Sequence, residues 1–180
     1  PRLARHCPGT EEIQVPTDPR LRLRRLTLED TEVLFRLSQE EGIKRFIPDQ
    51  VYRDEGEAAQ VLRFLIAQYA DPPAPDTRPY VQAVELIPTG ELIGHVGLSP
   101  VEGGTEIGYA IGAAQQGRGY ATGAVGEALR WALVELELPR VLGIVDSDNP
   151  GSIRVLEKAG FSFVEETQRE MHGARRSVRI

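Results

Sequence analysis

Residues 116–126 read Gln-Gly-Arg-Gly-Tyr-Ala-Thr-Gly-Ala-Val-Gly, and two phosphate-binding spacings overlap in them. Gly117, Gly119 and Gly123 form G-x-G-x-x-x-G, close to the fingerprint that holds a dinucleotide in a doubly wound fold. Gln116, Gly119 and Ala121 form Q-x-x-G-x-A, a second way of cradling a pyrophosphate. The chemistry is common to both. Glycines let the backbone approach a phosphate closely, and N–H groups at a helix start stabilise its charge. Close strand-to-helix packing is the competing explanation, but two glycines flanking Arg118 at a helix start exceed what packing requires.

These residues need elements to position them. Leu21 and Leu23 alternate with arginines from Arg20 onward, which predicts a half-buried strand. Thr27 with Asp30 predicts a capped helix running to about Glu40. A second helical pattern covers about Glu57 to Tyr69 and ends at the proline-rich residues 71–76. Tyr80–Leu86 and Glu91–Leu98 read as a hairpin turned by Ile87-Pro88-Thr89-Gly90, and residues 105–112 as a third strand after Gly103-Gly104. The glycine loop then opens a helix to about Glu137. Arg140–Asp146 reads as a buried strand, Pro150–Gly160 as a short helix, and Phe161–Glu166 as another strand. Residues 1–19, with three prolines and no sustained period, read as a tail or edge segment, and residues 20–180 as one domain.

Context separates the two phosphate readings. A dinucleotide site needs the glycines in its first βαβ unit, with an acidic residue about 20 positions on. Asp146 offers that carboxylate, but a hairpin meander precedes the loop, and the chain remaining after the loop is too short for a doubly wound sheet. Composition excludes further classes. A net charge of −6 gathers no nucleic acid, and no run of about 18 apolar residues suggests a membrane span. Cys7 stands alone, and His6, His95 and His172 are too scattered for a local metal motif, so neither a disulfide nor a metal is expected. A cytoplasmic protein, monomer or homodimer, is expected.

With the meander, loop and following helices in place, the chain resembles the GNAT superfamily of acyl-CoA-dependent N-acetyltransferases, and most of all its Rim-type branch of ribosomal-protein N-terminal acetyltransferases. Glu106–Leu129 carries E-I-G-Y and then G-x-G-Y-A-T, and Asp146–Phe161 carries N-x-x-S followed by E-K-x-G-F. The likeness runs from about Arg20 to the end. There are two departures. Gly123 stands where the branch usually has glutamate, and Leu156 where many members have a tyrosine that protonates the leaving thiolate.

The resemblance implies an α/β (α+β) fold with a mixed, mostly antiparallel sheet of six to seven strands. That sheet splays between strands four and five and is flanked by about four helices. It implies acetyl-CoA as cosubstrate, with Tyr109, Ile111, Gln116, Gly117, Arg118, Gly119, Tyr120, Ala121, Thr122, Asn149 and Ser152 binding it. It also implies direct attack by a primary amine, either a protein N-terminus or a small cationic amine, with Glu106 taking the amine proton. A binding module without turnover and transfer of another acyl group both share these motifs. Asn149 has a competing role as helix N-cap, and Ser152 either caps its helix or serves the departing thiolate. His95 reads as structural, and Cys7 as a bystander.

Overall fold

The computed structural model describes residues 15–102, 104–171 and 173–180. Cys7, His6, His172 and Gly103 of the expected turn lie outside them. Four strands, β1 (Leu21–Arg25), β2 (Tyr80–Leu86), β3 (Glu91–Val101) and β4 (Gly104–Ile111), pair antiparallel in that order. Strand alternation gives this sheet two apolar faces. On one, Val84, Val96, Leu98, Ile107 and Ile111 pack against Val125, Ala128 and Leu129 of α4 (Tyr120–Arg130). On the other, Ala83 and Leu92 meet Leu34 of α1 (Thr31–Ser38) and Leu62 of α3 (Glu55–Ala67). The molecule is therefore a sheet between two helical layers.

Arg24 organises the entry to α1. Its guanidinium contacts Asp30 (2.7 and 2.8 Å) and Glu85 (2.5 Å), two carboxylates almost shut off from solvent. Asp30 also accepts the Thr27 N–H at 2.8 Å, the reciprocal half of the expected capping box.

The second half of the fold holds β5 (Val145–Asp146), α5 (Pro150–Lys158), β6 (Glu166–Met171) and β7 (Ala174–Arg179), with strand order β5-β7-β6. One parallel bridge ties β4 to the segment leading into β5. Ile107 N–H donates to the Leu142 carbonyl at 2.9 Å, and Leu142 N–H donates to Thr105 at 2.8 Å. Beyond that bridge β5 pairs with β7 rather than with β4, so the sheet opens where the splay is expected. Among the described residues seven strands and the splay agree with what the resemblance implies, but the strand expected over Arg140–Asp146 shrinks to Val145–Asp146, with Leu142 making only the isolated bridge. The α-helices among the described residues number five, because a short α2 (Glu41–Phe46) follows α1.

Several boundaries differ. Phe161–Glu165 is not a strand: Phe163 and Val164 are exposed, and the strands come later as the β6–β7 hairpin. The polar and charged makeup of Glu166–Arg179 hid that hairpin from a reading based on apolar alternation. The glycine-loop helix leaves α geometry at Trp131 and continues as a π turn to Glu135. Of the stretch expected as a tail, residues 15–19 are described, and they lie along α4. Here Gly123 and Gly126 explain themselves. A Cβ at Gly126 would come within 1.8 Å of the Pro16 carbonyl oxygen, and one at Gly123 within 2.5 Å of Asp18 Cβ. These two glycines admit the N-terminal segment, and Val15 reaches the main core.

Candidate active site

The gap between β4 and β5 is a cleft of about 450 Å³, and the expected loop forms one end of it. Gly117 (φ 75°) and Gly119 (φ 85°) both lie in the left-handed region, which side chains with a Cβ disfavour. A Cβ at either would meet nothing within 4 Å, so these two glycines do not serve packing. They leave a cradle open. The first bond inside α4 runs from Gly123 N–H to the Gly119 carbonyl (3.0 Å), so the N–H groups of Tyr120, Ala121 and Thr122 have no acceptor within the helix. Those amides and the positive end of the helix suit a pyrophosphate. The Gln116 side chain donates to the Ile111 carbonyl at 2.9 Å and pins the loop to the end of β4.

The cleft wall is strand backbone. Because Ile107 N–H points across to Leu142, alternation aims the N–H and C=O of Tyr109 the same way, into the gap. The Tyr109 side chain crosses beneath, and its hydroxyl donates to the Ser152 carbonyl at 3.1 Å, tying β4 to α5. Burial pushes this phenol up to about 12, outweighing the lowering influence of the Ser152 side chain, so it stays protonated. Asn149 Oδ1 accepts the Ser152 N–H at 3.1 Å, which makes Asn149 the N-cap of α5, while both residues also line the cleft. Leu156, where the resemblance would place a tyrosine, is buried at the cleft wall.

Asp146, the carboxylate of the dinucleotide reading, is already engaged. Burial alone would raise its pKa, but Arg176 Nη1 at 2.6 Å, the Asp148 N–H and the charge of Arg45 together hold it below the usual carboxylate range. It is therefore an ionised partner of Arg176. A two-residue strand in a small antiparallel sheet is also the wrong setting for a dinucleotide.

Of the residues named from sequence, Tyr109, Ile111, Gln116, Gly117, Gly119, Tyr120, Ala121, Thr122, Asn149 and Ser152 all line this one cleft. Arg118 does not: it is exposed at the loop tip. Glu106 sits one residue before the lined stretch of β4, opposite Ser99, and its side chain projects to the α1–α3 face. Missed from sequence were Glu40 and the apolar trio Ile43, Phe46 and Ile47, which close the cleft from the side of α2. Six residues of helix leave too short a period to read. His95 lies opposite Ala110 beside a separate cavity of about 20 Å³, and desolvation depresses its imidazole to about 4, so it is neutral at pH 7. Among the described residues no cluster of His, Cys, Asp or Glu could hold a metal ion, and no helix is long and apolar enough to cross a membrane.

A splayed sheet, an anion cradle at the start of α4 and an open strand edge beside it define an acyl-CoA-dependent acetyltransferase. The family described as the acetyltransferase (GNAT) domain matches residues 20–162, and the chain belongs to that family. An uncharacterized N-acetyltransferase of Bacillus licheniformis is 26% identical over 145 residues, 79% of each chain. Among solved structures, a GNAT-family acetyltransferase from Bacillus anthracis superposes with a TM-score of 0.76 at 21% identity, covering 92% of this chain and 94% of that one. The spermidine N-acetyltransferase of Vibrio cholerae in complex with CoA and spermine gives 0.73 at 22% identity over 90% and 94%. A ribosomal alpha-N-protein acetyltransferase, RimL, in complex with coenzyme A gives 0.75 at 15% identity over 92% and 94%.

Proposed function

We propose that the protein transfers an acetyl group from acetyl-CoA to a primary amine, and that the amine is the N-terminal α-amino group of a protein or peptide. Acetyl-CoA supplies the activated thioester, and the chain's own residues do the rest. The cradle at Gly117–Thr122 binds the pyrophosphate, and the edge of β4 takes the pantetheine arm as an added strand. The Tyr109 N–H polarises the carbonyl lodged in the gap. Glu106 receives the amine proton through water, since its side chain stands just outside the lined stretch. The observation that carries the donor assignment is the joining of open cradle and open strand edge in one cleft.

The acceptor side favours a peptide over a polyamine. A polyamine calls for several uncommitted carboxylates, yet Glu40 accepts the Ala113 N–H at 2.8 Å and Asp146 is paired with Arg176. Ile43, Phe46 and Ile47 suit the first side chains of a peptide. An α-amino group, with a pKa near 8, also needs less help to become neutral than a lysine or polyamine amine near 10. The test is turnover of acetyl-CoA with a panel of free-N-terminus peptides, spermidine, spermine and an aminoglycoside, read by mass spectrometry. Acetylated peptide is the expected product. Acetylation of the polyamine or antibiotic alone would refute the acceptor assignment, and tight CoA binding without any turnover would reduce the protein to a binding module.

A further inference from the structure

Arg20 lies outside every residue that lines the cleft, yet it reaches the back of the cradle. Its backbone, one residue before β1, is tied to the chain just after β2, since the Arg20 carbonyl accepts the Ile87 N–H at 2.9 Å. From there the side chain crosses to the glycine loop, where Nη2 donates to the Arg118 carbonyl at 3.1 Å and the guanidinium sits 4.6 Å from the centroid of the Tyr120 ring. Asp18 holds it in a two-pronged fork, with Nε to Oδ1 at 2.9 Å and Nη2 to Oδ2 at 2.6 Å. Asp18 is in turn seated against α4 at Gly123, where only a missing side chain leaves room.

Peptide geometry turns this contact into a statement about the cofactor. No peptide bond in the described chain is cis, and in a trans peptide the C=O of one residue and the N–H of the next point in opposite directions. A cation that holds the Arg118 carbonyl behind the loop therefore turns the Gly119 N–H toward the cleft, which Gly119 lines. With glycine on both sides of Arg118, in left-handed conformations that no side chain fixes, this peptide plane is the part of the loop most in need of a restraint. A guanidinium bonded to the carbonyl also draws electron density from the same peptide and makes its N–H a better donor to an anion.

We propose that Arg20, forked to Asp18, is a positioning residue for coenzyme A: it sets the 118–119 peptide so that the Gly119 N–H meets the pyrophosphate. The N-terminal segment of residues 15–20 is thereby a working part of the cofactor site, and Gly123 and Gly126 are the clearances that seat it. This rests on the proposed binding of the coenzyme A pyrophosphate at the loop.

Calorimetric titration of coenzyme A into the wild-type chain, Arg20→Met, Arg20→Lys and Asp18→Ala tests it, alongside the shift of the Gly119 amide in nitrogen-15 NMR spectra of the unliganded proteins. Arg20→Met is expected to weaken binding about tenfold or more and to move the Gly119 amide, with Arg20→Lys intermediate because an ammonium can still reach the Arg118 carbonyl. Asp18→Ala separates positioning from simple attraction. Removing a negative charge beside an anion site would tighten binding by Coulomb's law, whereas loss of the fork should weaken it by about threefold or more. Tighter binding by Asp18→Ala, or Arg20→Met within about twofold of wild type with the Gly119 amide unmoved, would overturn the proposal. A wild-type chain that ignores coenzyme A would overturn the cofactor assignment itself, and this inference with it.

Discussion

Gly119 is where the cradle can be tested with least disturbance to the protein. It stands at φ 85°, ψ −4° as the N-cap of α4, and a Cβ there would find open space on all sides. A substitution thus has two separable costs. The first is backbone strain: an ordinary residue held in left-handed geometry loses about 1–2 kcal/mol, and a β-branched one more, whereas asparagine tolerates it. For a chain of this size that is roughly 2–8 °C in melting temperature. The second is occupancy of the cradle, which falls on the ligand alone because no protein atom is close enough to collide. Gly119→Val should therefore melt several degrees lower and bind coenzyme A at least about thirtyfold more weakly, a loss of about 2 kcal/mol or more. Gly119→Asn should nearly keep its melting temperature and still lose most of the affinity. Differential scanning fluorimetry and calorimetry read the two quantities independently. Coenzyme A affinity in Gly119→Asn equal to wild type would refute the assignment of this loop to the pyrophosphate.

Glu106→Gln is expected to lower kcat by about a hundredfold or more while leaving coenzyme A affinity within about twofold, because general-base assistance acts in the chemical step; unchanged turnover across the pH profile would make Glu106 a bystander on the strand. Ser152→Ala should cut turnover about tenfold at constant melting temperature if the hydroxyl serves the thiolate, and a lowered melting temperature with normal turnover would assign it to the helix start instead. Arg24→Met leaves buried Asp30 without its cation and Glu85 with Arg22 alone, and should cost about 3–5 kcal/mol, a drop of roughly 6–20 °C in thermal melts. Acid stability follows from the same cluster. Hydrogen bonding from Arg24 and then Arg22 outweighs burial and holds Glu85 below its ordinary value. For Asp30 burial pulls upward, but the bonds from Arg24 and Thr27 prevail and lower it. Their stabilisation is therefore complete above the unfolded carboxylate values near pH 4 and lost as pH falls through the depressed ones. Melting temperature should stay flat from pH 7 to about 5 and decline below, and the absence of that decline would contradict the ion cluster.

Local chemistry explains which parts were legible in the sequence. A glycine loop opening a helix, an Asn-Pro helix start and alternating hydrophobics each write their physics within a few neighbouring residues, so Gln116–Thr122, Asn149 and the β2–β3–β4 meander could be read directly. Chain position and the preceding meander argued against a dinucleotide, and the family resemblance pointed to coenzyme A. Gly123 read only as a departure from the branch's glutamate, because the reason for it, Asp18, lies about a hundred residues earlier and touches it only after folding. Arg20 read as one more strand arginine. Its hold on the Arg118 carbonyl spans 98 positions, and no periodicity encodes such a contact. The β6–β7 hairpin escaped notice because its strands are largely charged and pair with each other, and the α2 wall because six residues carry too little period. Residue order sets the chemistry each segment can offer. Folding alone settles which carbonyls face which cations, and which carboxylates, such as Asp146, are already paired, because those are distances between segments that the order of residues leaves free.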